Sequence, residues 1–418
     1  MEKIIIKGGR VLKGEVEISA AKNSVLPIIV ASILTEGRCI IHDVPVLEDV
    51  CVICQVLKDS GAKIIYEENN TINIDNTNLK NIKPEDSLVQ KMRASFLITG
   101  PMLARFGGFK ISLPGGCNIG ARPIDLHLKG FTALGAQVSF GHGYVEAKAI
   151  KLIGNKIYLD FPSVGATENI MMAATLAEGD TIIENAAIEP EIEDLSIFLC
   201  KMGGKIEGAG TDTIKITGVK ELKGTNHTPI KDRIEAGTFM VAAAITNSMI
   251  KIKGANESHL KPVIAKLTEM GVRMEILKDG ILVDGRAGLR PTDIKTLPYP
   301  GFPTDMQSQM MSLLSVVKGT SIISETIFEN RFMHVSELKR MGANIKIDGR
   351  TAIIEGKERL SGSEVKATDL RAGAGLILAA LSAEGTTSIN DIYHVDRGYV
   401  DIEKKLQGLD ADIIRVNY

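Results

Sequence analysis

The feature that most constrains how this 418-residue chain can fold is its internal repetition. One phrase recurs: a helix-like apolar stretch, a turn, a β-rich stretch, a second helix ending in glycine, and another β stretch. Clear copies of its first half are Ala174–Ile183, Leu313–Ile323 and Ala380–Ile389, each turning at a glycine (Gly179, Gly319, Gly385). Ala31–Gly37 is a further copy, and Ala242–Ile252 is another with Asn247 near the glycine position. The second helices end at Gly61, Gly135, Gly203, Gly271 and Gly342, with Gly408 expected as the sixth, at spacings of 66 to 74 residues. Glycine is the natural residue there because it alone enters the left-handed region without a Cβ clash. After most of these glycines the residues alternate, as in Ala343–Asp348, which reads as a half-buried strand. A repeat of this length is a supersecondary unit that buries its apolar face only against its neighbours. Six units divide into two sets of three, so the pattern predicts an α/β protein of two similar lobes with a cleft between them. The join is expected near Thr225–Ile230, where Gly224, Thr225, Asn226 and Pro229 cluster. The repeats leave open which lobe the first strand joins.

The formal net charge of −2 gives no basic surplus for a general nucleic-acid binder, so any anion site must be built from a few focused cations. The first residues, Met1–Lys7, lack a signal-peptide core, and the longest apolar runs, around Val25–Leu34 and Gly375–Ala383, fall short of the ~20 residues that span a bilayer. A cytoplasmic protein, without membrane or nucleic-acid partner and monomeric or weakly oligomeric, is the expectation. Five scattered cysteines suggest reduced thiols rather than a disulfide framework. Cys51 and Cys54 form a C-x-x-C, but inside an amphipathic helix over Asp49–Leu57 and with no second ligand pair; Cys39 and Cys200 read as core. The seven histidines include no H-x-x-x-H, so neither a metal nor another cofactor is expected. Gly373-Ala-Gly375 follows an arginine at a helix start rather than a strand, which makes it weak evidence for a dinucleotide.

The entrances to the first helices carry the charge pattern. They read Lys22-Asn23-Ser24, Arg93-Ala-Ser95, Val164-Gly-Ala-Thr167, Asp232-Arg-Ile-Glu235, Pro303-Thr-Asp-Met-Gln307 and Thr368-Asp-Leu-Arg371. Acids at a helix start are ordinary caps, so Asp232, Asp305 and Asp369 read first as caps, and Thr304 with Gln307 as a capping box. Cations there are harder to explain, because the helix dipole disfavours them. Lys22, Arg93, Arg233 and Arg371 make sense if an anionic ligand binds among them. The segment Leu113–His127 places Cys117 among three glycines and two prolines, with Arg122 five residues on. A mobile loop and a nearby cation suit a thiol for acid–base or nucleophilic work.

Eight phrases carry a resemblance: Ala21-Lys-Asn23, Lys91-Met-Arg-Ala-Ser95, Pro114-Gly-Gly-Cys-Asn-Ile-Gly-Ala-Arg-Pro123, Ser163–Thr167, Phe302–Gln307, Phe328–His334, Ala367–Ala372 and Asp396–Tyr399. On these, in order along essentially the whole chain, the sequence closely resembles the UDP-N-acetylglucosamine 1-carboxyvinyltransferase family of enolpyruvyl transferases. The resemblance implies a two-domain inside-out α/β barrel, each domain three repeats of strands plus two helices with threefold pseudosymmetry. It implies a first domain over 21–229 carrying the mobile Cys117 loop, a second over 1–20 and 230–418, and an active site in the cleft between them. It further implies transfer of the enolpyruvyl group of phosphoenolpyruvate to the 3′-hydroxyl of UDP-N-acetylglucosamine, the first committed step of peptidoglycan synthesis. Catalysis would fall to Cys117, Asp305, Lys22 and Arg397. Lys22, Arg122 and Arg397 would surround the donor phosphate, Arg331 and Arg371 its carboxylate, with Asn23 beside the reacting centre. The nucleotide sugar would meet Arg93, Arg122, Pro123, Ile124, Asp125, Leu126, Ser163, Val164, Gly165, Asp305 and Ile327. Two alternatives stand beside this: 5-enolpyruvylshikimate-3-phosphate synthase, whose family lacks the cysteine loop, and a non-catalytic UDP-sugar-binding paralogue, which should have lost Cys117, Asp305 or a phosphate arginine.

Overall fold

The computed structural model describes residues 2–81, 93–112 and 124–417, with the side chains of 93–95 outside the description. The described helices come in six pairs, one per repeat. They are α1 (Lys22–Ala31) with α2 (Glu48–Asp59), α3 (Thr99–Phe106) with α4 (Asp125–Ala133), and α5 (Val164–Ala174) with α6 (Pro190–Lys201). Then follow α7 (Arg233–Ile245) with α8 (Glu257–Met270), α9 (Gln307–Leu314) with α10 (Val335–Arg340), and α11 (Leu370–Ser382) with α12 (Ile402–Gln407). Chain contacts separate two compact units: Met1–Ser19 with Lys231–Tyr418, and the described residues of 20–230.

In the first of these units α7, α9 and α11 are the core. Every residue of α7 after Arg233, all eight of α9, and all from Arg371 to Leu381 in α11 are buried. A helix buried on all sides belongs in an interior, even α9 with its buried Gln307, Ser308, Gln309 and Ser312, and here the three pack on one another while the sheets lie outside them. Small residues allow the approach. A Cβ on Gly375 would stand 2.9 Å from the Ser308 carbonyl oxygen, and Ser312 Oγ donates to the Gly375 carbonyl at 2.7 Å. In the other unit α3 packs on α5, and α5 has every residue from Ala166 to Ala174 buried.

Two sheets show the plan most directly. A strand before the buried helix pairs in parallel with the strand after it, and an antiparallel hairpin adds two more. Lys156–Tyr158, Asp180–Glu184, Thr213–Thr217 and Lys205–Glu207 make one such sheet; Ile294–Lys295, Gly319–Ser324, Thr351–Gly356 and Asn344–Asp348 make another. Five sheets of four strands and one of three are present among the described residues. The parallel strand of the first repeat, Asn226–His227, comes from beyond the third and pairs with Arg38–Ile41. Glu2–Lys7 lies between Thr386–Asn390 and Asp412–Asn417 in the last sheet, and Lys13–Glu17 supplies the parallel strand for Met249–Lys253. Both N-terminal strands therefore belong to the unit made by 231–418.

The predicted left-handed glycines hold at five positions: Gly61, Gly135, Gly203, Gly271 and Gly342 have φ between 93° and 108°. Each donates its N–H to the carbonyl three residues back, and the next residue donates to the carbonyl five back. Gly408 does not follow. It is right-handed, at φ −60°, and the same pair of bonds is made two residues later by Asp410 and Ala411. Asp410 takes φ +70°, the strain being tolerable because a short polar side chain enters this region more readily than a bulky one. The turn glycines Gly179, Gly319 and Gly385 are also left-handed, as is Asn247 in their place. An added Cβ at Gly342 meets nothing within 4 Å, so Gly342→Ala should lose about 1–2 kcal/mol through backbone strain alone. Asp410→Gly should gain up to about 1 kcal/mol, the relieved strain being partly offset by unfolded-state entropy. Denaturant midpoints of the two variants moving in the same direction would contradict this account.

Among the described residues, no helix is long and apolar enough to cross a membrane, and no group of three or more His, Cys, Asp or Glu is placed to hold a metal ion. Cys39 and Cys54 are buried, and burial pushes both thiols up to about 11. Cys200, expected in the core, is exposed: it lies on the outward face of α6, where Ile197 is exposed as well.

Candidate functional site

The three acids at helix entrances part company. Asp232 accepts the N–H groups of Ile234 and Glu235 at 2.8 and 3.0 Å, and Asp369 those of Arg371 and Ala372 at 2.9 and 3.0 Å. Both are caps. Asp305 is not: it sits in a 3-10 turn, Thr304–Met306, that follows Pro303 without a side-chain cap. The expected capping box also fails, because the Thr304 hydroxyl donates instead to Glu325 Oε2 at 2.9 Å.

Asp305 is gripped by two arginines. Arg331 Nη2 reaches Oδ1 at 3.0 Å, while Arg371 Nε and Nη2 both reach Oδ2, at 3.1 and 3.0 Å. The Arg331 and Arg371 side chains are only 2% and 4% exposed, whereas Asp305 keeps 27%. Burial is the largest single influence and acts to lower the pKa of Arg371, but Asp305, Tyr399 and Asp232 together outweigh it and hold the guanidinium above its ordinary value. Two buried cations share one carboxylate where desolvated charge is costly unless paired. Arg331 Nε is buried without a partner among the described residues. Such a place selects an anion, and planar guanidinium forks suit a carboxylate.

The pair is held from behind. The Tyr399 ring lies 5.4 Å from the Arg371 guanidinium carbon. Its hydroxyl meets Thr238 Oγ1 of α7 at 2.9 Å and accepts from Gln309 Nε2 of α9 at 3.3 Å. All three core helices thus meet around one buried phenol beside Arg371. Glu325, 1% exposed, is the other support. Besides Thr304, it accepts the N–H groups of Ile327 and Phe328 at 2.8 and 3.1 Å, so one carboxylate ties the turn of Asp305 to Ile327. Sequence reasoning missed Glu325 and the Tyr399 hydroxyl, since a glutamate or tyrosine becomes recognisable as a brace only when its distant partners are in place. Arg397 ends the turn Ile392–Arg397, half-buried in the same unit.

In the other unit, Lys22 opens α1 with Nζ 3.4 Å from Asp49 Oδ2 of α2; both side chains are largely buried. Asn23 follows it, and Ser24 donates to Asp194, which also meets His227 Nε2 at 2.8 Å and accepts the Ile230 N–H at 3.0 Å. The start of α1 is thereby fixed to α6 and to the segment leading into α7. Ile124, Asp125 and Leu126 form the N-terminal turn of α4. Ser163 caps α5 by accepting the Ala166 N–H at 3.4 Å, with Val164 and Gly165 as its first residues. These two helix starts touch: a Cβ on Gly165 would lie 3.3 Å from His127 Cε1. Two adjacent helix N-termini offer free N–H groups to a phosphate-bearing ligand. Burial pushes His127 down to about 4. Asn169 Nδ2, 2.9 Å from Nδ1, donates to it because its Oδ1 already accepts the Gly100 N–H. The neutral ring therefore carries its proton on Nε2. Cys117, Arg122 and Pro123 lie outside the described residues, as does the Arg93 side chain, although the Arg93 backbone begins the turn Arg93–Ile98. Of the expected site, the structure brings together Asp305, Arg331 and Arg371 in one unit, and Ile124–Leu126 with Ser163–Gly165 in the other.

The profile of the EPSP synthase (3-phosphoshikimate 1-carboxyvinyltransferase) family matches residues 6–406. The chain is 67% identical to UDP-N-acetylglucosamine 1-carboxyvinyltransferase 2 of Clostridium tetani over 417 residues, covering 100% of both chains. It is 64% identical over 417 residues to UDP-N-acetylglucosamine 1-carboxyvinyltransferase 1 of Clostridium acetobutylicum, again with 100% of each covered. Among solved structures it matches the enolpyruvyl transferase NikO from Streptomyces tendae with a TM-score of 0.91 at 25% identity, covering 100% of this chain and 99% of that one. An EPSP synthase from Acinetobacter baumannii matches with a TM-score of 0.77 at 20% identity over 100% of both chains, a likeness of fold.

Proposed function

Because the chain belongs to the EPSP synthase (3-phosphoshikimate 1-carboxyvinyltransferase) family of enolpyruvyl transferases, we propose that it moves the enolpyruvyl group of phosphoenolpyruvate onto the 3′-hydroxyl of UDP-N-acetylglucosamine, releasing phosphate. The observation that carries this reading is the carboxylate held between two buried arginines, Asp305 against Arg331 and Arg371. A site that already binds a carboxylate this way suits a three-carbon carboxylate donor. In a cell the product would feed peptidoglycan synthesis, and with it cell shape and division. EPSP synthase activity is disfavoured by the full-length identity to the UDP-N-acetylglucosamine enzymes, against 20% to solved EPSP synthases.

The chemistry assigns each residue a task. Cys117 protonates C3 of phosphoenolpyruvate, which makes C2 electrophilic. The sugar 3′-oxygen attacks C2, and Asp305 takes the proton that leaves the hydroxyl. The resulting tetrahedral species then loses a proton from C3 while the C2–O bond to phosphate breaks, restoring the methylene as an enol ether. Lys22, Arg122 and Arg397 carry the charge of the departing phosphate, and Arg331 with Arg371 holds the carboxylate. Asn23 lies beside the reacting carbon. Arg93, Pro123, Ile124, Asp125, Leu126, Ser163, Val164, Gly165 and Ile327 bind the nucleotide sugar, whose diphosphate suits the paired N-termini of α4 and α5.

The test is inorganic phosphate release. It should require both phosphoenolpyruvate and UDP-N-acetylglucosamine, and shikimate 3-phosphate should not replace the sugar. Release with shikimate 3-phosphate alone as acceptor would install the alternative, and no release with any acceptor would leave a binding protein. A small phosphonate epoxide that mimics the donor should add to Cys117, seen as a mass increase in the intact chain and located by peptide mapping. An unmodified Cys117 after prolonged exposure would remove the thiol from the reaction.

A further inference from the structure

The turn that ends in Arg397 is fixed at both sides by groups that no reaction step uses. On one side is Tyr399, whose hydroxyl sits among Thr238 and Gln309 of the core helices. On the other is Asp396, held by Arg415 of the last strand. Arg415 Nη1 and Nη2 bond Asp396 Oδ2 and Oδ1 at 3.0 and 2.6 Å, a two-pronged grip. Its Nε and Nη2 bond Glu403 of α12 at 3.0 and 3.2 Å, and Nη1 also reaches Glu2 of the first strand at 3.0 Å. One guanidinium, with a side chain 22% exposed, thus gathers three carboxylates from three different elements. Surface ion pairs are usually worth little, but here the alternative to the pairing is three like charges left crowded together. Without Arg415, Asp396 would be pushed outward, and Arg397 is its covalent neighbour. Gly398 leaves the turn no slack on the inner side, since a Cβ there would stand 2.7 Å from Leu370 Cδ2.

We infer that Arg415 is a positioning residue for the donor phosphate: it fixes Asp396 so that Arg397 is presented at a constant place. This rests on the phosphate role proposed above for Arg397. The arrangement makes the last strand part of the donor subsite although none of its side chains need touch a substrate. Fixing a ligand-binding cation matters because a displacement of about 1 Å in such a group can cost as much as ~100-fold in rate.

The experiment is steady-state phosphate release by the full chain, with each substrate varied in turn. Arg415→Met should raise the KM for phosphoenolpyruvate about tenfold or more, leaving the KM for UDP-N-acetylglucosamine within about twofold. Asp396→Asn should give the same donor-selective defect, and the double variant should be no worse than either single one, as for two residues acting through one link. If Arg415→Met does not fold, Asp396→Asn still reads the link. Glu2→Gln, which breaks only the contact to the first strand, should leave both KM values unchanged. A donor KM unchanged in Arg415→Met, a rise in both KM values together, or an equal donor defect in Glu2→Gln would each overturn the inference. Arg397→Ala separates the levels: an unchanged donor KM there sinks the phosphate role of Arg397 itself. A raised value there with a normal Arg415→Met sinks only the positioning by Arg415.

Discussion

Asp305→Ala should reduce the rate of phosphate release by roughly 10²- to 10⁴-fold, the usual weight of a positioned proton acceptor, and yet bind phosphoenolpyruvate more tightly in the absence of sugar. The second half follows from the geometry. Asp305 fills the Arg371 fork and takes one prong of Arg331, so a donor carboxylate must displace it to grip both arginines. Removing Asp305 removes the competitor. It also leaves two nearly buried cations without their counter-charge, which should lower stability in the absence of donor by about 3 kcal/mol, a loss that phosphoenolpyruvate should restore more fully than it stabilises the parent. The same displacement has a catalytic reading: donor binding frees the carboxylate from its arginines, and a carboxylate relieved of two cations is a stronger base. Calorimetry of donor binding, with turnover measured on the same preparation, tests both halves. Weaker donor binding in the variant would show that Asp305 helps to hold the donor rather than competing with it, and near-normal turnover would remove it as the base.

Arg371→Ala should be the variant most damaged in donor binding. The residue contributes the two-pronged half of the grip on Asp305, lies 4% exposed, and shares its surroundings with the Tyr399 hydroxyl network. Its loss should raise the KM for phosphoenolpyruvate by roughly 10²-fold or more, on the scale of a desolvated charge partner, and cost about 3–5 kcal/mol of stability. Arg371→Lys keeps the charge but not the planar fork. It should recover most of the stability and little of the donor affinity, because an ammonium acts as a point charge. Donor KM values against denaturant midpoints for the two variants separate these effects. A lysine variant that binds the donor normally would mean charge alone suffices.

Much of this was legible beforehand because it is periodic. The glycine ends and apolar helix stretches repeat on a scale set by backbone geometry, and local rules read them without knowing any distant contact. Gly408 shows the limit: a glycine two residues early drew the eye, while the strained position fell on Asp410, identifiable only by the bonds it makes. Asp305, Asp232 and Asp369 were indistinguishable as letters at helix starts. What separates them is that Arg331 and Arg371 arrive beside Asp305 from elements 26 and 66 residues further along, which no local rule foresees. Lys22 and Arg371 stood out because a cation at a helix entrance opposes the dipole. Their partners Asp49 and Asp305 did not, since acids near helix starts are common. Glu325, Arg415 and His127 carried no local signal at all.

The borrowed strands have a consequence for how the protein comes into being on the ribosome. Glu2–Lys7 is made long before Asp412–Asn417, the strand that completes it. At roughly 5–20 residues per second, such a segment waits on the order of tens of seconds before its partner emerges. The half spanning 20–230 has every described strand it needs once Asn226–His227 is out, so it can settle while the opening segment stays unpaired. Synthesis therefore favours a nested order in which the inserted half is finished inside the other, and an early edge able to pair with the wrong strand is the hazard that this order creates.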